Sequence, residues 1–407
     1  MSIATSSESP PNTALSQVCS AAPDVFVAEV WGHRAWLSRA EDLNGHVADV
    51  FSPRAADELL STRGLRTPFL RMAKDGTVIP QSHYTGSGGA GARIADQVHD
   101  DAVLRLFSDG ATVVLQGLHR TWAPVGALAA ELTAELGHPV QVNAYITPAQ
   151  SQGFAAHYDT HDVFVLQVSG SKRWRVHEPV LPAPMPEENW QQRAAEVRAR
   201  AEQPPVIEAD LLPGDCLYLP RGFLHSATAH GETSIHLTFG VHASTERDVL
   251  EAAWQVVRAS GWRSALPAGW DPASTDGLAR LGELIESMRD ALTRVDAQTL
   301  AATLSDLRAL EQRPEPVPPL AQAADIANLT ADTVVRLRRW LSVRWSDDGL
   351  VAAGRAVRVE PEDRAAVEVL LRGGPCQVGL LPGTADGPPF ALIAGLLREG
   401  VLVTDTL

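Results

Sequence analysis

His157, Asp159 and His225 are the residues of this chain whose types and spacing could do metal chemistry. The first two stand two apart in NAYITPAQSQGFAAHYDTHDVFVLQVSGSKRWRV (Asn143 to Val176), and His225 closes PGDCLYLPRGFLH. In an extended strand, side chains two apart leave the same face, so both can point into one cavity. A second histidine, brought in by a Gly- and Pro-containing turn, completes two imidazoles and one carboxylate. That set leaves coordination positions open and suits Fe(II) used for oxygen activation. His161 continues the alternation, but a fourth protein ligand would close positions that oxygen and a cosubstrate need. It is read as a rim or supporting residue.

Elements on either side must hold these groups. After Gly170, the alternation Lys172, Trp174, Val176 predicts a strand that returns in a hairpin and carries an ammonium back beside the ligands. From Thr233 to His242, Ile235, Leu237, Phe239 and Val241 alternate with Ser234, His236, Thr238, Gly240 and His242. This pattern predicts a strand with an apolar face on the core and a polar face, including His236 and Thr238, on the cavity. The segment 179–205, a polar helix flanked by prolines, interrupts the strands as a solvated insertion or a wall at the mouth.

The second segment resembles the second motif of the cupin superfamily: Gly214, Pro220, Arg221, Gly222 and His225, with Ala229 where that pattern's later Asn would stand. Asn143, Tyr145, Thr147, Pro148, SQGFAAHYD and FVLQVSGSKRW narrow the resemblance to the JmjC-type 2-oxoglutarate oxygenases, and within them to the ribosomal oxygenase group. The resemblance implies an α+β fold: a double-stranded β-helix, a helical dimerisation segment and a C-terminal winged helix. It implies Fe(II) on His157, Asp159 and His225, with O2 and 2-oxoglutarate as cosubstrates. Lys172 falls on the residue that pairs with the far carboxylate of 2-oxoglutarate, and Asn143 on a nearby cosubstrate contact; Thr238 and His236 are further candidates. The implied reaction is hydroxylation of a side chain in a protein or peptide, with Arg or His of a ribosomal protein first. Hydroxylation of a free amino acid, a biosynthetic peptide or another natural product stays open, as do lysine demethylation and a catalytically silent binding or regulatory protein. Thr160, where relatives often have a second acid, and Gly240, where a small polar residue is expected, depart from the pattern.

The 407 residues carry 45% hydrophobic and 20% charged side chains and a formal net charge of −15. That is ordinary for a globular protein with a sizeable core, and the charge disfavours general attraction to nucleic acid while favouring basic partners. Three isolated cysteines predict neither disulfides nor a structural zinc site, and no targeting segment or apolar run long enough to span a membrane is present, so a cytoplasmic protein is expected. The glycines of 85–91 lack a following Lys-Ser or Lys-Thr and make no phosphate loop.

The chain divides into a disordered leader (1–22), a catalytic domain (23–245), a helical segment (246–312) and a winged-helix-like domain (313–407). In the catalytic domain, helices are expected at 53–65 and 125–136, a hairpin turning at Asp75 and Gly76, and a strand at 111–115. The helical segment has apolar residues every three or four positions, among them Leu278, Leu281, Ile285, Met288 and Leu292, which suits a homodimer interface. RPEPVPP (313–319) is a stiff linker. Beyond it TADTVVRLRRWLSVRW reads as helix, 349–359 as a hairpin, and the two remaining apolar-periodic stretches as helices. Nine arginines from Pro314 onward face twelve acids, so a structural or protein-contacting role is favoured over DNA binding.

Overall fold

The computed structural model describes residues 13–405 apart from 75, 92, 150–154, 260, 312, 347–348 and 384–386. It divides into two compact units, Met1–Ala243 and Ser244–Leu407.

The first unit is built on an antiparallel sheet. Its strands are β1 (Trp36–Ser38), β2 (Leu70–Lys74), β3 (Thr77–Val78), β4 (Thr85–Gly86), β5 (Gln97–Val98), β6 (Thr112–Leu115), β7 (Val140–Thr147), β8 (Asp162–His177), β9 (Ile207–Leu211), β10 (Cys216–Leu219) and β11 (Leu224–Val241). The order is β1-β10-β8-β11-β7-β6-β2-β3, with β9 paired to β8; β4 and β5 form a separate ladder. Two long strands organise it. β8 pairs with β11 along both halves, with β10 through its first half and with β9 through its second.

Here the structure corrects the hairpin expected at Gly170. β8 does not turn back there; it continues as one strand, and Gly170 (φ +61°) lies where β11 bulges between His230 and Ile235. A bulge bends a strand without reversing it, and a Gly supplies the positive φ. Buried Gln167 secures the bend, its Nε2 donating to the carbonyls of Ser169 and Gly170 and to Ser234 Oγ at 2.9–3.0 Å. Lys172, Trp174 and Val176 still share one face, buried in alternation with exposed Arg173 and Arg175.

Val142, Ala144 and Ile146 of β7, Phe164 and Leu166 of β8, and Ile235, Leu237, Phe239 and Val241 of β11 turn to the main core, joined by helix Ala123–Leu136 through Val125, Leu128 and Leu132. Helix Pro53–Ser61 is capped by Ser52 Oγ, which accepts from Ala55 N at 3.2 Å, and adds Ala55, Ala56 and Leu59. The expected leader fares differently. Residues 1–12 lie outside the described residues, but Leu15, Val18 and Cys19 are buried in the same core and Leu15 N donates to Glu135 Oε2 at 2.9 Å. Their apolar side chains tie residues 13–22 into the domain. The β2–β3 ladder matches the expected hairpin, of which Asp75 lies outside the described residues.

The second unit opens with helices Glu246–Ala259, Thr275–Leu292 and Ala297–Glu311. Residues on either side of RPEPVPP fall in this one unit. The helix expected over 330–345 is corrected. Helix Pro319–Ala327 comes earlier, and strands Val334–Leu337 and Val343–Ser346 replace it. β-branched Val334 and Val335 suit a pleated surface, Val335 is fully buried, and its strand pairs with Cys376–Gln377 and Leu402–Thr404. The hairpin of Gly349–Ala352 and Arg355–Arg358 and helices Arg364–Leu371 and Phe390–Arg398 lie where expected. Arg336 pairs with Glu315 and Asp405, Arg344 with Asp306, Arg355 with Glu399, and Arg364 with Glu368, so much of the positive charge is neutralised within the unit. No described helix is long and apolar enough to cross a membrane.

Candidate metal and cosubstrate site

Opposite the core, the sheet forms one wall of a cavity of about 320 Å³, into which His157, Asp159 and His225 open together. One ligand atom from each lies within 4.8 Å of the others, and this is the one such His, Cys, Asp or Glu group found among the described residues. The backbone sets that approach. His157 and His225 form an isolated antiparallel bridge, Gly222 N donates to Asp159 O at 3.0 Å, and Arg221 N donates to Asp162 Oδ1 at 3.1 Å. Gly222 has φ +91°, and a Cβ there would meet Leu181 O at 2.5 Å; only glycine fits this turn.

The donor chemistry fits a divalent ion. His157 Nδ1 lies 2.8 Å from Ala155 O and His225 Nδ1 3.1 Å from Phe223 O. A carbonyl accepts only, so each Nδ1 carries the proton and each Nε2 keeps its lone pair for a metal. Burial pushes the His225 imidazole below its ordinary range, keeping it neutral. Burial works to raise the Asp159 carboxyl, but the imidazoles of His225, His157 and His161 overcome it, and it stays below the ordinary range as a carboxylate.

Lys172 lies on the same cavity, 3% exposed, with Nζ 3.0 Å from Thr147 Oγ1. Its ion pairs include no carboxylate among the described residues, and burial draws its pKa from 10.5 to about 7. A lysine buried this way costs stability unless an anion joins it. Thr238 and His236 of β11 also line the cavity. His236 stacks on Tyr145 at 5.0 Å and meets the edge of Trp174 at 5.4 Å, while its buried Nδ1 and Trp174 Nε1 have no hydrogen-bond partner among the described residues. Asn143 is placed differently from the expected cosubstrate contact. It pairs with Thr238 across the sheet, but its Oδ1 accepts from Gly117 N at 3.0 Å and it is not part of the cavity wall.

Residues 123–249 match the family model described as JmjC domain. That segment is similar to a JmjC domain, and the chain is similar to ribosomal oxygenases. Ribosomal oxygenase 1 of Bos taurus is 31% identical over 232 residues, 56% of this chain and 33% of that protein. The "Bifunctional lysine-specific demethylase and histidyl-hydroxylase NO66" of Culex quinquefasciatus is 41% identical over 120 residues, 27% of this chain and 17% of its own. The chain thus spans about a third of the first relative's length and less of the second. A solved structure of YcfD, a ribosomal oxygenase from Escherichia coli in complex with cobalt and 2-oxoglutarate, shares the fold with a TM-score of 0.54 at 17% identity, covering 94% of this chain and 98% of that one.

The matched JmjC domain contains all three candidate ligands and Lys172. Its two departures have different outcomes. A side chain at Gly240 would meet the His161 ring at 2.7 Å, so the glycine makes room for His161, which stacks on His242 at 5.1 Å instead of joining the triad. Nothing in the structure explains Thr160. Sequence reading missed Arg71, Trp174 as a cavity wall, and Trp190 and Gln191, which bring the 179–205 insertion to the cavity. Arg71 had a signal, since Leu70, Met72 and Arg71 alternate on a strand, but nothing linked that strand to a triad some ninety residues away.

Proposed function

We propose that this protein is an Fe(II)- and 2-oxoglutarate-dependent oxygenase that hydroxylates a side chain in a protein or peptide, with a ribosomal protein as the first candidate. The observation that carries the reading is the buried Lys172 on the same cavity wall as the His157, Asp159 and His225 cluster. A metal-binding protein with no anionic ligand has no use for a desolvated ammonium there. The printed names of the relatives, which include ribosomal oxygenase and histidyl-hydroxylase, support the reading.

His157, Asp159 and His225 would hold the metal, and Lys172, steadied by Thr147, would hold the far carboxylate. When bound, Fe(II) with 2-oxoglutarate supplies oxidative decarboxylation to succinate and carbon dioxide and insertion of one oxygen into an unactivated C–H bond. The chain contributes placement and exclusion of water: Val163, Val165 and Trp174 give the cavity apolar walls, and Trp190 borders it near His157, 6.4 Å between ring centroids. Carbonyl-anchored imidazoles and an ionised Asp159 keep the ligand set ready without a side-chain base. Lysine demethylation, part of the name of one relative, is separated by product: hydroxylation adds one oxygen to the substrate, whereas demethylation releases formaldehyde. Incubation with ribosomal proteins and mass spectrometry of both substrate and small products tests this directly.

The helical and winged-helix-like parts are proposed as a dimerisation segment and a protein-contacting domain. Support comes from helix Thr275–Leu292, on which Leu278, Ile285 and Leu292, seven residues apart, are each at least half exposed. A seam of that spacing suits a second helix laid against it.

A further inference from the structure

The first unit holds a second cavity, of about 570 Å³ against 320 Å³ around the triad. Helix Pro53–Ser61 and helix Asp100–Ser108 wall it. Its floor is the core-facing side of the sheet, where Val113 of β6, Ile146 of β7 and Ile235 of β11 stand side by side in register. Their neighbours along the strands, Thr112, Thr147 and His236, line the metal cavity, so the two cavities lie on opposite faces of the same strands.

This groove is apolar inside and acidic at the rim. Leu60 and Phe107 are half-buried in its walls, and Leu104 is 64% exposed. Asp57, Asp100 and Asp101 are exposed at its edge, and none of its lining residues is basic. Arg105 answers Asp101 at 2.8 Å, whereas Asp57 and Asp100 are in no ion pair among the described residues.

The floor strands are interior: β6 lies between β2 and β7, β7 between β6 and β11, and β11 between β7 and β8. No strand edge is open there, so an incoming chain must bind through side chains. A helix does this with apolar residues three and four positions apart, and the rim carboxylates favour basic residues beside that stripe and repel acidic ones. The net charge of −15 acts in the same direction.

We propose that this groove docks an amphipathic helix of a protein partner, its apolar stripe turned to the floor and Lys or Arg along its edges. The proposal is independent of the oxygenase reading and adds a binding surface on the other face of the sheet.

The test uses the full chain and fluorescent helical peptides that share one leucine stripe and carry Lys, Gln or Glu at the flanking positions. The Lys peptide is expected to bind at least about tenfold more tightly than the other two at low salt, an advantage that shrinks at high salt. Replacing its leucines by serine removes binding. Leu104→Ser, at an exposed position, weakens the Lys peptide by at least about fivefold with thermal unfolding unchanged, and Asp57→Asn with Asp100→Asn brings the Lys and Gln peptides together. Asp159→Ala binds as wild type does. Equal binding of the three peptides, no binding of the Lys peptide, or binding lost in Asp159→Ala but kept in Leu104→Ser overturns the proposal. A wild-type dimer that Leu104→Ser splits into monomers also overturns it, because the groove then belongs to a second copy. None of these outcomes depends on turnover, so this proposal and the oxygenase reading fail separately.

Discussion

His157 and His225 are tied backbone to backbone: His225 N donates to His157 O at 2.8 Å and His157 N to His225 O at 3.2 Å, which holds their ring centroids 4.5 Å apart. Residues 68 positions apart in sequence are thus fixed as neighbours by two main-chain hydrogen bonds, and the side chains need only one rotamer each to converge with Asp159. Preorganisation of this kind means that metal binding orders little that was loose.

Lys172 makes cosubstrate binding depend on pH. Its pKa of about 7 in the folded chain lies below 10.5 in the unfolded one, so the unfolded chain holds the extra proton between those values. Stability contributed by this group therefore rises with pH from about 7 to 10.5 and is lowest when Lys172 is charged and unpartnered. Binding a dicarboxylate above pH 7 requires taking up that proton. Calorimetric affinity for 2-oxoglutarate, measured in wild type with Zn(II) bound, is expected to fall by up to about tenfold per pH unit above 7. Lys172→Met abolishes that dependence, binds 2-oxoglutarate weakly at every pH, and loses the rise of stability between pH 7 and 10.

His236 packs as an aromatic and offers one buried nitrogen to the cavity. His236→Phe retains the stacking on Tyr145 and removes the nitrogen. Thermal stability should hold or increase, while KM for 2-oxoglutarate or for the target rises about tenfold. A fall in stability with KM unchanged would make His236 a packing residue only.

The convergence of His157, Asp159 and His225 and the place of Lys172 beside them were legible because HxD, a distant Pro-Arg-Gly-x-x-His turn and a lysine two residues after a glycine carry their spacing in the sequence. The alternation of Ile235 to Val241 gave the correct faces of β11 for the same reason. Gly170 misled because a glycine followed by a strand pattern reads equally as a turn or a bulge. The decision lies in Thr233 and Ser234, which sit across from it on another strand. Residues 330–345 misled because helical spacing of Val334, Leu337 and Leu341 coexists with β-branched pairs whose partners, Cys376–Gln377 and Leu402–Thr404, are remote. The place of Arg71 beside the triad and the hydrogen bond from Gly117 to Asn143 are products of tertiary folding, which no local pattern links to the site.

The bend at Gly170 gives a stability test. A Cβ there would run into the Thr233 carbonyl, and φ is positive, so Gly170→Val is expected to cost about 3 kcal/mol in urea unfolding. Because Lys172 follows two residues later, the variant should also lose 2-oxoglutarate affinity by more than its stability loss alone explains. Gly76→Ala, at a turn with open space around it, should cost much less.

Helix Thr275–Leu292 predicts the oligomeric state. Wild type should sediment as a dimer, and Ile285→Glu, in the middle of the exposed seam, should sediment as a monomer with its thermal unfolding otherwise close to the parent's. A monomeric wild type would leave those leucines to another partner.

The most direct measurement is succinate formation from 2-oxoglutarate after anaerobic loading with Fe(II), started by oxygen and followed with and without a pool of ribosomal proteins, in wild type and in Asp159→Ala. The account predicts turnover in wild type, stimulated by at least one component of the pool, and a loss of at least about a hundredfold in the variant, which keeps the fold but lacks the carboxylate that completes the metal site. Stoichiometric iron bound by the wild type with neither succinate formed nor 2-oxoglutarate bound would contradict it.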